Sequence, residues 1–136
     1  MSGVHVRLRV GQEQYALPVD RVLEVAELGD LTPVPGSPSE ILGVRNLRGQ
    51  VIPVLSLATV LGLPAEDPLR IVVVELGDRR AGLAADAIVD VGDLPDPSEQ
   101  VDSPFMVAAA LVDGTLVGFL DADAILSTVS SPEPSP

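Results

Sequence analysis

Val4, Val6, Leu8 and Val10 alternate with His5, Arg7 and Arg9, the two-residue period of a strand with one apolar and one wet face. Gly11-Gln12-Glu13-Gln14 reads as a turn and Tyr15 to Pro18 as the returning strand, which makes a hairpin. Val19 to Val25 opens as a helical turn behind Pro18, and its Val22-Leu23-Glu24-Val25 run carries the branched residues of a strand. Leu31 to Pro38 is a loop or edge segment, because Pro33, Pro35 and Pro38 have no N–H for a ladder. Ser39-Glu40 then predicts one short helix, Glu40 to Gly43. From Gly43 onward the pattern gives a strand, a tight Arg48-Gly49 turn and a strand over Val51 to Leu55. A helical turn from Ala58 to Leu61 follows, closed by Gly62 and Pro64.

The same pattern returns after about 66 positions. Val10-Gly11 aligns with Leu76-Gly77, Ala16-Leu17 with Gly82-Leu83, and Asp20 to Val25 with Asp86 to Val91. After a one-residue slip, Gly49 to Leu57 matches Gly114 to Ala122, and Val60-Leu61 matches Ile125-Leu126. An ordered series at nearly constant offset is the mark of two copies of one β-rich unit. Such a unit has too little core to stand alone, so the copies should pack against each other as small barrels or curled sheets with an apolar interface.

Composition narrows the chemistry. The 136 residues are 46% hydrophobic but 2% aromatic, so the core must be aliphatic. All eight basic residues are Arg, against twenty acids, and the net charge of −12 argues against a nucleic-acid or anionic-membrane surface. With no Cys, thiolate metal sites, disulfides and thiol nucleophiles are excluded. The apolar runs are far shorter than the roughly 20 residues of a membrane span, and the first residues lack a secretory pattern, so a cytoplasmic location is expected. The proline-rich residues 131–136 read as a disordered tail.

Asn46-Leu47-Arg48-Gly49 followed by Val51-Ile52-Pro53-Val54 resembles the hallmark of the CheW family. Tyr15-Ala16-Leu17-Pro18, Val22-x-Glu24-Val25, Gly82-Leu83-x-x-Asp86 and Gly114-x-Leu116-Val117 support it. The similarity runs from Val4 to about Val129. It implies an all-β fold of two SH3-like five-stranded barrels around a shared apolar core, with one or two short helices. Residues 1–130 would form a single domain of barrel-like repeats, about 1–66 and 67–130, between which strands can be exchanged.

The resemblance also implies a non-enzymatic adaptor, without cofactor, metal or catalytic residues. Such a protein couples the coiled-coil tip of a chemoreceptor to the regulatory domain of a CheA-type histidine kinase, and is recruited from the cytoplasm to receptor arrays at the membrane. A docking module of the same fold in a non-motility two-component relay is the alternative. Carried over residue by residue, the receptor-binding set is Val22, Glu24, Asn46 and Arg48, while Leu47, Gly49, Pro53 and Gly114 shape the turns and strands.

Comparison of the two copies sharpens Arg48, whose counterpart is Asp113: the turn can be made without Arg, and Gly49 and Gly114 carry its geometry. A guanidinium fork can hold the Glu24 carboxylate beside a groove flanked by Val22, Leu23 and Val44. Asn46 can instead bond its own turn.

Other signals point to no second chemistry. His5 has no nucleophile partner and reads as a surface residue. Asp121-Ala122-Asp123 and the series Asp90, Asp93, Asp96, Glu99, Asp102 lack calcium-loop spacing and read as solvated loop charge. The sequence departs from the family at Ser56, where Asp is usual, and at Ala58-Thr59-Val60, which replaces a more charged turn.

Overall fold

Strand β1 (Gly3–Val10) turns back into β2 (Glu13–Pro18), with Val10 opposite Glu13 and His5 opposite Pro18. A 3-10 turn over Val19–Arg21 leads into β3 (Val22–Glu27), and a loop then reaches β4 (Ile41–Leu47) and β5 (Gln50–Ser56). Helix α1 (Leu57–Leu61) closes the first half. The second half repeats it as β6 (Arg70–Leu76), β7 (Arg79–Ala85), β8 (Ala87–Leu94), β9 (Met106–Val112), β10 (Thr115–Leu120) and α2 (Ala122–Thr128). This computed structural model describes residues 3–64 and 67–128; the tail expectation at 131–136 lies outside them.

The two sheets do not coincide with the two halves. One has the strand order β8-β1-β2-β10-β9 and the other β3-β6-β7-β5-β4. Each half sends its first hairpin into the other half's sheet, where strands of that other half cover it on both sides. β1 pairs antiparallel with β8, and β2 runs parallel to β10 with Tyr15 opposite Gly118. In the second sheet β6 pairs with β3, and β7 runs parallel to β5 with Leu83 opposite Leu55. Small features repeat too: Thr32 bridges to Val44 in one half and Glu99 to Ala109 in the other.

These sheets are two five-stranded, SH3-like barrels, and the apolar face of each alternating strand has one of two destinations. Leu8, Val10 and Leu17 of the first barrel meet Leu55, Val72, Val74 and Leu83 of the second in one shared core, sealed by Leu57, Ile125 and Leu126 of the helices. Burying each such Leu or Ile contributes about 1.5–3 kcal/mol. Smaller clusters fill the barrel interiors, Ile52, Val54, Ile71 and Val73 in the second barrel and Ala16, Ala110, Val117 and Phe119 in the first.

Three expectations change. The face of β1 read as wet is so at Arg9 but not at His5, which is 9% exposed, packs its ring edge-on against Phe119 at 5.1 Å and has its Nδ1 2.7 Å from the Gly3 carbonyl oxygen. Residues 40–43 form no helix, because the Ser56 N–H donates to the Glu40 carbonyl and β4 begins at Ile41, drawing this stretch into the sheet. Asp90 and Asp93 sit on β8 rather than in a loop, and Asp90 accepts from Arg7 at 2.7 Å.

The helix starts explain two residues singled out in the sequence. Ser56 Oγ caps α1 by accepting from the Thr59 N–H, and Asp121 Oδ1 accepts from the Ala124 N–H at the matching place before α2. Ser56 thus does the work of the usual Asp.

Gly43 is buried where β4 meets the loop strand: a Cβ there would lie 2.7 Å from the Thr32 carbonyl oxygen, which itself accepts from the Val44 N–H. Gly43→Ala is expected to lower stability by about 1–3 kcal/mol, moving the urea midpoint down with an unchanged slope. An unmoved midpoint would contradict the close approach.

Candidate functional site

Both β4–β5 and β9–β10 are closed by two-residue turns, with Leu47 opposite Gln50 and Val112 opposite Thr115. In each, both central residues have positive φ: Arg48 at 53° and Gly49 at 83°, Asp113 at 50° and Gly114 at 80°. This is the type I′ signature, whose backbone twist matches that of the flanking strands. Asp tolerates the left-handed region, whereas Arg has no local side-chain bond to offset its cost. Arg48 therefore holds a turn position for which it is a poor choice, and that points to a task beyond the turn. Asn46 Oδ1 accepts from the Gly49 N–H at 3.0 Å, so its oxygen serves the turn and its amide N–H groups remain for other contacts.

β3 and β4 are the two edges of their sheet, and side chains join them across the seam. Arg48 Nε donates to Glu24 Oε1 at 2.9 Å and Nη2 to Oε2 at 3.2 Å, a planar fork on a carboxylate. Arg45 Nη1 donates to the carbonyls of Glu27 and Leu28. The hydrogen bond from Arg48 is the main cause that holds the Glu24 carboxyl below the usual range, with the charges of Arg48 and Arg45 adding to it. The same bond raises the Arg48 guanidinium.

The first barrel is built differently at its equivalent seam. Ala110 stands where Arg45 stands, Asp113 where Arg48 does and Asp90 where Glu24 does. Two acids replace an ion pair there, and Asp90 is held instead by Arg7 of the neighbouring strand. The fork and the Arg45 contacts are thus not a requirement of the fold.

The strands that carry the pair also expose apolar side chains. Leu23, Val25 and Val51 are 46%, 39% and 62% exposed, and Val51 lies opposite Asn46 in the β4–β5 register. Glu24, Asn46 and Arg48 are brought together through one hairpin turn and the strand facing it. Val22 is half-buried and packs against the shared core, so it offers less open surface than Leu23. Val44 lies opposite Pro53 and lines a pocket with it. Leu47 packs into the barrel interior, and Gly49 and Gly114 occupy matching turn positions. Arg45 escaped the sequence reading, although its replacement by Ala110 in the second copy marks it.

An interlocked pair of β-barrels with one charged, apolar-flanked seam is the outline of a protein-interaction module. The CheW-like domain model matches residues 5–130, so the chain belongs to the CheW family. It is 31% identical to the chemotaxis protein CheW of Thermotoga maritima over 91% of this chain and 87% of that one. It is 27% identical to the chemotaxis protein CheW of Rhizobium meliloti over 88% of this chain and 84% of that one. The crystal structure of the scaffolding protein TtCheW from Thermoanaerobacter tengcongensis superposes with a TM-score of 0.78 at 29% identity, covering 89% of this chain and 90% of that one.

A carboxylate held below its ordinary range stabilises the folded state above that range and stops doing so as pH falls through the lowered value. Arg48→Ala should move the Glu24 titration upward, as read by NMR of the Glu24 side-chain carboxyl. The stability difference between parent and variant should be present at neutral pH and vanish in acid. A Glu24 midpoint unchanged by the substitution would show that the fork does not form in solution.

Proposed function

We propose that the chain is a non-enzymatic adaptor that couples a chemoreceptor coiled-coil tip to a CheA-type histidine kinase within a chemotaxis array. The observation that carries this reading is the Arg48–Glu24 fork. It sits on a turn that resists Arg and occurs in one barrel but not in its counterpart, and Leu23 and Val25 of β3 and Val51 of β5, on the strands that carry Glu24 and follow the Arg48 turn, are exposed. An amphipathic receptor helix needs such a surface, with apolar contact along one face and a fixed charge to set register. The family membership supports the same reading.

The two barrel ends differ in a way that suits alternation with a kinase domain of the same fold. Next to its turn the second barrel presents Asn46 and Val51 as a cross-strand pair, and the first presents Leu111 and Leu116, which are 57% and 50% exposed. Unlike ends favour head-to-tail contact with another molecule over a symmetric contact between like ends. Recruitment to arrays at the membrane then comes through partners; no helix among the described residues is long and apolar enough to cross a bilayer.

Reconstitution tests this directly. The parent protein, mixed with receptor signalling tips and kinase, is expected to sediment with them and raise kinase activity. Arg48→Glu should lose receptor-dependent activation while keeping the parent's circular dichroism and melting curve. Normal activation by the folded variant would overturn the assignment of the site.

A further inference from the structure

The outer face of the β4–β5 hairpin holds a pocket of about 670 Å3, within the range of ligand sites. Val34, Pro38, Val44, Pro53, Ala81 and Leu126 form the apolar part of its wall. Proline stiffens that wall. Val34 to Ser37 make a type II turn, with Pro35 in second place, Gly36 at a φ of 78° in third and the Ser37 N–H donating to the Val34 carbonyl at 3.2 Å. Ser37 Oγ donates to the same carbonyl at 2.7 Å. A wall fixed in this way resists collapse into the space, so a ligand finds the site already formed.

The duplication shows what such a space accepts. At the matching place in the first barrel Tyr15 stands for Ala81, Met106 for Ile41 and Gly118 for Pro53. The Tyr15 ring and the Met106 thioether close in so tightly that a Cβ on Gly118 would lie 3.2 Å from the ring and 2.5 Å from the sulfur. The first barrel thus carries its own ring. The strands of the second contain no aromatic residue: Tyr15 lies on β2, Phe119 on β10 and Phe105 just before β9.

We propose that the pocket binds a small, uncharged aromatic molecule of the phenol class, its ring over Ala81 in the place that Tyr15 takes in the first barrel. The charged residues of the lining already have partners. Arg80 donates to Glu75 at 2.9 Å and to Gln50 at 2.7 Å, and Arg79 donates to the Leu126 carbonyl at 3.2 Å. An anionic ligand would compete with these bonds and lose its own hydration against an apolar wall. A neutral ring competes for none of them, because hydrogen bonds lie in the guanidinium plane while a ring stacks on its face. A hydroxyl on the ring keeps its hydrogen bonds by facing the open mouth and water.

The probe is p-cresol, a tyrosine side chain without its backbone. Titrated into the isotope-labelled full-length protein, it is expected to shift the amide signals of Val44, Leu55 and Ala81 and to leave that of Leu111 on the other barrel in place. The shifts should saturate with a Kd of about 0.1–1 mM, ordinary for a ligand of this size. Ala81→Tyr, which supplies the ring from within, should weaken binding by about tenfold or more. If that variant's spectrum shows a disturbed fold, nuclear Overhauser contacts in the parent between the p-cresol ring protons and the methyl groups of Val44 and Leu126 give the same reading. The charged analogue p-hydroxybenzoate should bind about tenfold more weakly than p-cresol. Shifts that fail to saturate by about 10 mM would overturn the proposal and leave the pocket to a side chain brought by a partner protein. Equal binding by the folded variant, contacts to neither methyl group, or equal binding of p-hydroxybenzoate would overturn it as well.

Discussion

Every strand of the central hairpins in this protein is completed by the other half of the chain. The β1–β2 hairpin has β8 on one side and β10 on the other, and the β6–β7 hairpin has β3 and β5. Withdrawing either hairpin would strip two ladders at once and open the shared core of Leu8, Leu17, Leu55, Val72 and Leu83 to water. Neither half can therefore bury its apolar faces alone, and the barrels form one cooperative unit. Pairings so distant in sequence, such as Tyr15 with Gly118, close late and slow folding.

Duplication within that unit separates what the fold demands from what it permits. Features present in both copies belong to the architecture: positive φ at both turn positions, the Thr32 and Glu99 bridges, and the caps from Ser56 and Asp121. Features present in one copy are free to serve partners. Arg48 against Asp113, Arg45 against Ala110 and Ala81 against Tyr15 all fall in the second barrel or on its outer face. They give it a clasped seam and an open pocket where the first barrel has acids and a filled wall. Arg48 remains 79% exposed while engaged with Glu24, so the fork orders a charge at the surface without removing it from water.

Much of this was legible in the sequence, because alternation and turn residues are local signals. The first hairpin, the Arg48-Gly49 turn, the repeat and the Glu24–Arg48 pairing all follow from residue types and spacing or from the family resemblance those residues carry. What resisted reading was non-local. Alternation marks β1 as two-faced but cannot show that His5 on its polar face is buried against Phe119 while Arg7 pairs with the exposed Asp90 of the neighbouring strand. A Pro-Ser-Glu start suggests a helix at 40–43, yet a ladder bond from Ser56, supplied from sixteen positions away, draws the segment into a strand. Periodicity also identifies strands without naming their neighbours, so the crossing of hairpins between halves appears only in the sheet order. Arg45 was hidden for the same reason, since its acceptors are backbone carbonyls that composition does not display.

The interlocking itself can be measured by cutting the chain between α1 and β6. Fragments 1–64 and 67–136, each alone, should lack a dispersed amide spectrum and a cooperative melt, and mixed in equal amounts they should assemble into one folded complex with the parent's spectrum. A stable, dispersed fold in either isolated fragment would contradict the dependence of each barrel on the other half.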